Sequence, residues 1–162
     1  MSKLRAELET DYFLAYGRRP VAGAVLLHRD GRVLLQHRDD KPDIESPGQW
    51  SLFGGGLDEG EEPEDAMLSE IDEEIGYRPR AQRPLVVFSG WYAEFHVYLA
   101  EVSPPLEELV LGEGQGFGYF TRKEAEELDL TEVARVALGA LSLLELQRDQ
   151  RGGGELLPGY SA

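Results

Sequence analysis

Three glutamates, Glu70, Glu73 and Glu74, are the residues of this sequence whose type and spacing best suit chemistry. Residues three and four apart share one face of a helix, so their carboxylates would stand side by side. Like charges at this spacing repel one another, and a cation between them reverses the sign. Hard carboxylate oxygens select Mg²⁺, Mn²⁺ or Ca²⁺ over soft metals. The spacing favours a divalent-metal site, and a solvated acidic face is the alternative.

The helix that would carry these glutamates is bounded by its own sequence. Pro63 suits a first helical turn and Gly76 suits a stop, so a helix is predicted from Pro63 to Ile75. Before it stand a short apolar strand at 50–53, three glycines at 54–56 and the polar loop LDEGEEPED. That loop lacks the alternating oxygen ligands and closing bidentate Glu of a calcium-binding loop, so it is not predicted to be one.

Strands and helices on both sides of this segment complete the pattern. The predicted strands are Val21–Leu27, Val33–Leu35, Pro84–Phe88, His96–Val102 and Gly116–Phe120. Asp30-Gly31 predicts a two-residue hairpin turn between the first two strands. The predicted helices cover 2–15 and about 131–148, with capping boxes at Thr121/Glu124 and Asp129/Glu132.

This order of elements predicts an α/β fold in which helices cover both faces of a mixed sheet. One domain is expected over residues 1–150, because no internal repeat or second composition appears. The triple glycine at 152–154 predicts a flexible C-terminal tail over 151–162.

The wider spacing around the glutamates resembles a known signature. Gly55 is followed by five residues and Glu61, then by seven residues and the run Ser69-Glu70-Ile71-Asp72-Glu73-Glu74-Ile75-Gly76-Tyr77. This closely resembles the Nudix hydrolase box, which reads Gly, five residues, Glu, seven residues, Arg-Glu-aliphatic-x-Glu-Glu-x-Gly-aliphatic. The matching positions are Gly55, Glu61, Glu70, Ile71, Glu73, Glu74 and Gly76. Ser69 replaces the family Arg, and Tyr77 replaces the closing aliphatic residue.

The resemblance implies a Nudix-like α/β/α sandwich, with a mixed sheet between helices, that cleaves a nucleoside-linked pyrophosphate with Mg²⁺ or Mn²⁺. It implies that Glu70, Glu73 and Glu74 are catalytic metal ligands, with Glu70 either a ligand or the base that activates water. The carbonyl of Gly54 would be a further ligand. The implied supporting residues are Gly55, Glu61, Ser69 and Gly76.

A second likeness lies downstream, in the triplet Glu113-Gly114-Gln115. It resembles a triplet in mutator-type members of the family, where an acidic residue joins the metal site. The resemblance therefore adds Glu113 to the implied metal ligands, and an ordinary polar turn is the alternative.

Ser69 is the departure with the largest consequence. The family Arg orients neighbouring carboxylates through charge-assisted hydrogen bonds, and Ser has neither its charge nor its reach. Either activity is lowered, or another arginine enters from elsewhere; the candidates are Arg38, Arg78 and Arg80.

The candidate substrate-binding residues are Arg38, Trp50, Phe53 and Gln115. Arginine could touch phosphate, as could Arg18 and Arg19, and an aromatic ring could stack on a base. The three histidines are scattered, so they are assigned to structural roles. The glycine run lacks the Gly-Lys-Ser/Thr of a P-loop.

Composition narrows the class of protein further. The 162 residues carry 16 Lys and Arg against 31 Asp and Glu, a net charge of −15, which argues against general binding to nucleic acid or anionic lipid. The absence of Cys excludes disulfides and thiolate metal sites. The first residues carry charges where a secretory signal needs an apolar stretch, so a cytoplasmic location is expected.

The functional hypothesis is a divalent-metal-dependent hydrolase in which an activated water cleaves the pyrophosphate bond of a nucleoside di- or triphosphate derivative. A (d)NTP or damaged nucleotide is the favoured substrate. Nucleotide sugars, dinucleoside polyphosphates, and a catalytically weak nucleotide-binding or sensor module are the alternatives. The expected partner is a small nucleotide, with no nucleic acid and no membrane, and a homodimer is left open.

Overall fold

Side-chain alternation along the first strand shows why the sheet needs cover on both faces. The computed structural model describes residues 20–160, and its first strand, β1, is Val21–Leu27. Val25 and Leu27 lie in one hydrophobic core, whereas Ala24 and Leu26 lie in another on the opposite face. The helix expected over 2–15, and Arg18 and Arg19, lie outside the described residues.

The sheet has seven strands in the described part of the chain. After β1 come β2 (Val33–His37), β3 (Trp50–Ser51), β4 (Phe53–Gly56), β5 (Gln82–Ser89), β6 (Glu94–Glu101) and β7 (Gly116–Phe120). The order is β3-β2-β1-β6-β5, with β4 also paired to β1 and β7 to β2. β1 and β6 are parallel and the other pairs are antiparallel, so the predicted mixed sheet is confirmed.

Helices cover the two faces of this sheet. They are α1 (Pro63–Ile75), α2 (Arg122–Glu126) and α3 (Glu132–Gln150), with a 3₁₀ turn at Leu106–Glu108. α1 buries Met67 and Ile71 on one face, and α3 buries Ala137 and Leu141 on the other. The α/β/α sandwich is therefore confirmed. No helix within residues 20–160 is long and apolar enough to cross a membrane.

The chain between β2 and α1 differs from the sequence prediction, which placed one strand at 50–53. Trp50 pairs with His37 of β2, whereas Phe53 pairs with Ala24 of β1. The chain therefore leaves its pairing with β2 and begins to pair with β1 at Leu52. This change of pairing brings the glycines that follow against β1, beside α1.

Two predicted turn and cap signals are wrong, and one is confirmed. The hairpin loop has three residues, 29–31, rather than the two of Asp30-Gly31, because the His28 N–H donates to the Arg32 carbonyl. Within this loop Gly31 adopts φ 89°, and its N–H donates to the His28 carbonyl. The capping box of Thr121 and Glu124 is present. The cap expected at Asp129 lies instead at Thr131, whose hydroxyl accepts from the N–H of Ala134.

The segment after α3 packs on the molecule, unlike the loose tail that the triple glycine predicts. Leu156, Leu157 and Tyr160 are buried in the core on the α3 side of the sheet. The Tyr160 hydroxyl also donates to the Val102 carbonyl at 3.3 Å. Apolar side chains that follow the glycines bury surface there, which outweighs the local preference for disorder.

Candidate functional site

α1 carries the glutamates, and local sequence sets both of its ends as predicted. Pro63 lies in its first turn, and Gly76 ends it in the left-handed conformation with φ 64°, where its N–H donates to the Asp72 carbonyl. Met67, Ile71 and Ile75 are fully buried beneath the sheet. With those side chains fixed in the core, the neighbouring positions Glu70 and Glu74 are turned towards β4.

Glu74 is a buried carboxyl group held by the glycine strand. It is only 5% exposed, and its Oε2 accepts a hydrogen bond of 3.1 Å from the N–H of Gly54. Burial raises its pKa to about 8, and the charges of Glu70 and Glu113 act in the same direction. The Gly54 hydrogen bond and the positive charge of Arg38 oppose that rise. A nearby divalent cation would favour the ionised form.

Glu70 lies directly over Gly55. A Cβ at Gly55 would stand 2.5 Å from the Glu70 carboxyl carbon, so any larger residue there would force the Glu70 carboxylate to move. Burial raises the pKa of Glu70, and neighbouring negative charges raise it further; those charges belong to Glu73, Glu113, Glu61 and Asp58. Glu70 therefore lies within a concentrated negative field.

Glu113 reaches this field because its loop is tied to α1 and β2. The N–H of Gly112 donates to the Glu74 carbonyl at 2.7 Å, and a Cβ at Gly112 would lie 2.5 Å from the Glu73 carbonyl oxygen. On the other side, Gln36 Nε2 donates to the Glu113 carbonyl at 3.2 Å. The loop therefore fixes Glu113 beside the C-terminal turn of α1.

Gly114 and Gln115 complete the anchor of this loop. Gly114 has φ 82°, and a Cβ there would lie 2.6 Å from the His37 carbonyl oxygen. Gln115 donates its N–H to the His37 carbonyl and its Nε2 to the Arg38 carbonyl, both at 2.8 Å. The structure thus gives the Gln115 amide a main-chain partner, whereas the sequence assigned it to substrate.

A cleft of about 460 Å³ opens beside Glu113. It is lined by Gln36, Arg38, Asp39, Lys41, Ile44, Gly112, Glu113 and Gly114. The two cationic side chains could meet an anionic substrate, while Glu113 links the cleft to the field around Glu70 and Glu74.

The two aromatic candidates for substrate binding lie elsewhere. Phe53 has no exposed surface and packs in the core beneath α1, so its ring presents no free face on which a base could stack. Trp50 is half-buried and stacked on His37, with ring centroids 4.7 Å apart. Both placements follow from the break between β3 and β4, which no local sequence signal marks.

The supporting residues occupy the ends and the side of α1. Glu61 Oε2 accepts from the Asp58 N–H at 2.9 Å, which holds the turn before α1, and Gly76 ends the helix. Ser69 is half-buried. Among the three candidate arginines, Arg38 acts on Glu74 electrostatically, whereas Arg78 and Arg80 are exposed beyond the end of α1.

Tyr77, the second departure from the box, fastens the end of α1 to β6. Its hydroxyl donates to the buried carboxylate of Glu101, which also accepts from the Arg80 N–H and the Ser103 hydroxyl. Burial, followed by this hydrogen bond, raises the pKa of Tyr77 to about 12. A tyrosine thus fills the aliphatic position of the box with a polar anchor.

The donor set suits a hard divalent cation in its chemistry. The side chains of Glu70, Glu73, Glu74 and Glu113 all supply carboxylate oxygens, and the Gly54 carbonyl is nearby in sequence. Within residues 20–160, however, no three His, Asp or Glu side chains are already grouped tightly enough to hold a metal ion. Convergence of the glutamates on a cation therefore remains a prediction.

Fold and site together define an α/β/α sandwich in which one helix and one loop bring acidic side chains to a glycine-rich strand. A family model described as the NUDIX domain matches residues 17–151. The chain therefore belongs to the NUDIX family, as its glycine and glutamate spacing indicates.

Solved structures and curated relatives agree with this membership. The crystal structure of a MutT NUDIX hydrolase from Burkholderia pseudomallei is similar, with a TM-score of 0.66 and 30% identity, covering 76% of this chain and 98% of that one. An RNA pyrophosphohydrolase of Gluconobacter oxydans is 42% identical over 74 residues, 45% of this chain and 39% of the relative. One of Gluconacetobacter diazotrophicus is 44% identical over 57 residues, 33% and 34% of the two chains. The chain spans little more than a third of these curated relatives.

Replacing Gly55 by Ala is expected to lower kcat on the order of 100-fold, because the added Cβ must displace the Glu70 carboxylate by about 1 Å. Turnover and the unfolding midpoint of both proteins test this. Gly116→Ala is the matched control, since Gly116 also lies in a strand and a Cβ there meets nothing within 4 Å. An unchanged kcat in Gly55→Ala would contradict the role given to Glu70.

Proposed function

We propose that this protein is a divalent-metal-dependent pyrophosphohydrolase acting on a nucleoside di- or triphosphate derivative, with a (d)NTP or damaged nucleotide as the favoured substrate. The proposal rests on a cleft of about 460 Å³ that presents Arg38, Lys41 and Glu113. The charge of Glu113 acts on both Glu70 and Glu74, so the cleft adjoins their negative field. A polyphosphate needs both features, because a −15 protein repels it until cations intervene.

In this proposal the residues of the chain have distinct tasks. Glu70, Glu73, Glu74 and Glu113, with the Gly54 carbonyl, would hold Mg²⁺ or Mn²⁺. The bound metal would neutralise phosphate charge and lower the pKa of water. Arg38 and Lys41, which line the same cleft as Glu113, would bind and orient the phosphates. Gly55 leaves room for Glu70, whose carboxylate is the candidate base that accepts a proton from the attacking water.

The 5′-triphosphate end of RNA is the second candidate substrate. It is favoured by the names of the curated relatives, which are RNA pyrophosphohydrolases. The same cleft chemistry serves either substrate, since both present a terminal polyphosphate. The net charge of −15 disfavours contact along an RNA chain, so a free nucleotide is preferred.

A substrate panel with Mg²⁺ or Mn²⁺ tests the proposal. It should contain canonical and oxidised (d)NTPs, nucleotide sugars, a dinucleoside polyphosphate and a short 5′-triphosphorylated RNA, with both products identified. Release of a nucleoside monophosphate from a (d)NTP is expected. A higher kcat/KM on RNA would favour the second candidate, and metal binding without turnover on any substrate would favour the sensor alternative.

Ser69→Arg is expected to lower kcat on the best substrate of that panel. Arg38 already supplies a positive charge near Glu74, so a second guanidinium should crowd the site. Arg38→Gln should lower kcat as well, and adding Ser69→Arg to it should restore part of the loss. A large gain from Ser69→Arg alone would mean that the position of Glu70 suffers from the missing arginine.

A further inference from the structure

The outward face of α3 carries a second apolar stripe. Its positions, here named the outer seam, are Glu132, Val136, Gly139, Leu143, Leu146 and Gln150. They follow one another at alternating steps of four and three residues, the spacing with which two helices pack side by side. Val136 is 38% exposed, Leu143 63% and Leu146 57%. The inner stripe of α3 already packs on the sheet, so the core does not use the outer seam.

We propose that the outer seam is a homodimer interface in which α3 packs antiparallel against α3 of a second copy. In an antiparallel pair centred on residue 141, every seam position meets another seam position. Val136 meets the partner's Leu146, and Gly139 meets the partner's Leu143. The outer seam is therefore self-complementary when two copies of it run in opposite directions. A two-fold symmetric interface requires such self-complementarity, so the seam suits a second copy of this chain.

Charge and side-chain size favour the antiparallel arrangement over the parallel one. In a parallel pair in register, Glu132 would face the partner's Glu132, and Gly139 would face the partner's Gly139. The two glutamates would repel each other, and the two glycines would leave unfilled space between the helices. The antiparallel pair places Glu132 near the partner's Gln150. On the flank, exposed Arg135 comes near the partner's Asp149, so opposite charges meet twice.

A cleft beside the seam supplies the hole for a partner side chain. It measures about 260 Å³ and runs between α2 and α3, where Leu128, Leu138, Gly139 and Ser142 form part of its lining. A Cβ at Gly139 would meet nothing within 4 Å, so the partner's Leu143 can approach the backbone there. The geometry is that of a knob entering a hole, repeated twice by symmetry.

The dimer is expected to be weak. α3 has 19 residues and is about 28 Å long, so the helix pair alone forms a contact at the small end of specific interfaces. Each copy also carries a charge of −15. At physiological salt the Debye length is about 8 Å, which screens most of this repulsion, and the centre of the seam is uncharged. A dissociation constant between about 10 μM and 1 mM is expected.

Sedimentation equilibrium of the full chain tests the interface. The wild type should dimerise, Leu143→Asp should weaken dimerisation by about tenfold or more, and Val87→Asp should match the wild type. Val87 is the control because it is 59% exposed on the edge strand β5, and its side chain alternates away from Val86 and Phe88, which pack in the core on the α3 side. A wild type that stays monomeric up to about 1 mM, or loss of the dimer only in Val87→Asp, would overturn the proposal. Circular dichroism of both variants confirms the fold.

The register has its own test, because the chain contains no cysteine. Ser142→Cys would place two thiols beside the two-fold axis, whereas Gln150→Cys would place them about 27 Å apart. Rapid disulfide formation in Ser142→Cys alone is expected. Faster cross-linking of Gln150→Cys overturns the antiparallel register. A monomer in which Leu143→Cys resists alkylation means that another part of the same chain covers the seam, and that also overturns the proposal.

Discussion

Glu74→Gln is expected to stabilise the metal-free protein at pH 8 by on the order of 3 kcal/mol. The folded state holds the pKa of Glu74 near 8, well above its ordinary value of 4.5, mainly through burial. The folded protein therefore binds this proton more tightly than the unfolded chain. That contribution is complete below about pH 4.5 and is lost as the pH rises through 8. Glutamine copies the neutral form, and its amide oxygen can still accept from Gly54.

Urea unfolding with a chelator from pH 5 to 9 measures this effect. The difference in the free energy of unfolding between variant and wild type should grow with pH. Glu73→Gln is the control, because Glu73 is exposed and its replacement should change stability by less than about 0.5 kcal/mol. A difference for Glu74→Gln that does not vary with pH would show that burial of this carboxyl group does not limit stability.

Adding Mg²⁺ should offset part of the stability advantage that Glu74→Gln has over the wild type. A cation that binds the folded state stabilises it by mass action, and it favours ionised Glu74. The wild type should therefore gain more stability from Mg²⁺ at pH 8 than Glu74→Gln does. The same buried carboxyl group would thus destabilise the metal-free fold and support the metal-bound one.

Local signals explain which parts of the fold could be predicted. Pro63 and Gly76 act within one helical turn, so both ends of α1 were predictable from sequence. The break between β3 and β4 was not, because it depends on the pairing of Trp50 with β2 and of Phe53 with β1, and both partner strands lie well before these residues in the chain. That break also decides that Phe53 enters the core rather than the site.

Some features of the site were likewise predictable from the sequence, and others were not. The spacing of Glu70 and Glu74 on one helical face follows from helical geometry alone. The burial of Glu74 does not, since it depends on the N–H of Gly54, twenty positions away. Likewise Arg38, Arg78 and Arg80 are equivalent candidates in the sequence. Only the fold, which brings Arg38 and Gly54 to the lining of one small pocket, gives Arg38 its effect on Glu74.

Glu73→Gln is expected to lower the affinity for Mn²⁺ or Mg²⁺ about tenfold or more, as the loss of support around a metal site does. Glu73 is exposed on α1, and its charge is among those that raise the pKa of Glu70, so the two carboxylates lie close together. Removing one oxygen ligand also removes one negative charge from the field that attracts the cation. Isothermal titration calorimetry at constant pH measures the change.

Asp72→Asn separates the two contributions in this metal-binding prediction. Asp72 is the neighbouring exposed acid of α1, but helical geometry turns it about 100° away from Glu73. Both variants lose one unit of charge, so a general electrostatic effect would weaken binding equally in both. A ligand role for Glu73 requires a much larger loss in Glu73→Gln. Equal affinities in Glu73→Gln and the wild type would remove Glu73 from the metal site and leave Glu70, Glu74 and Glu113 as its candidate side chains.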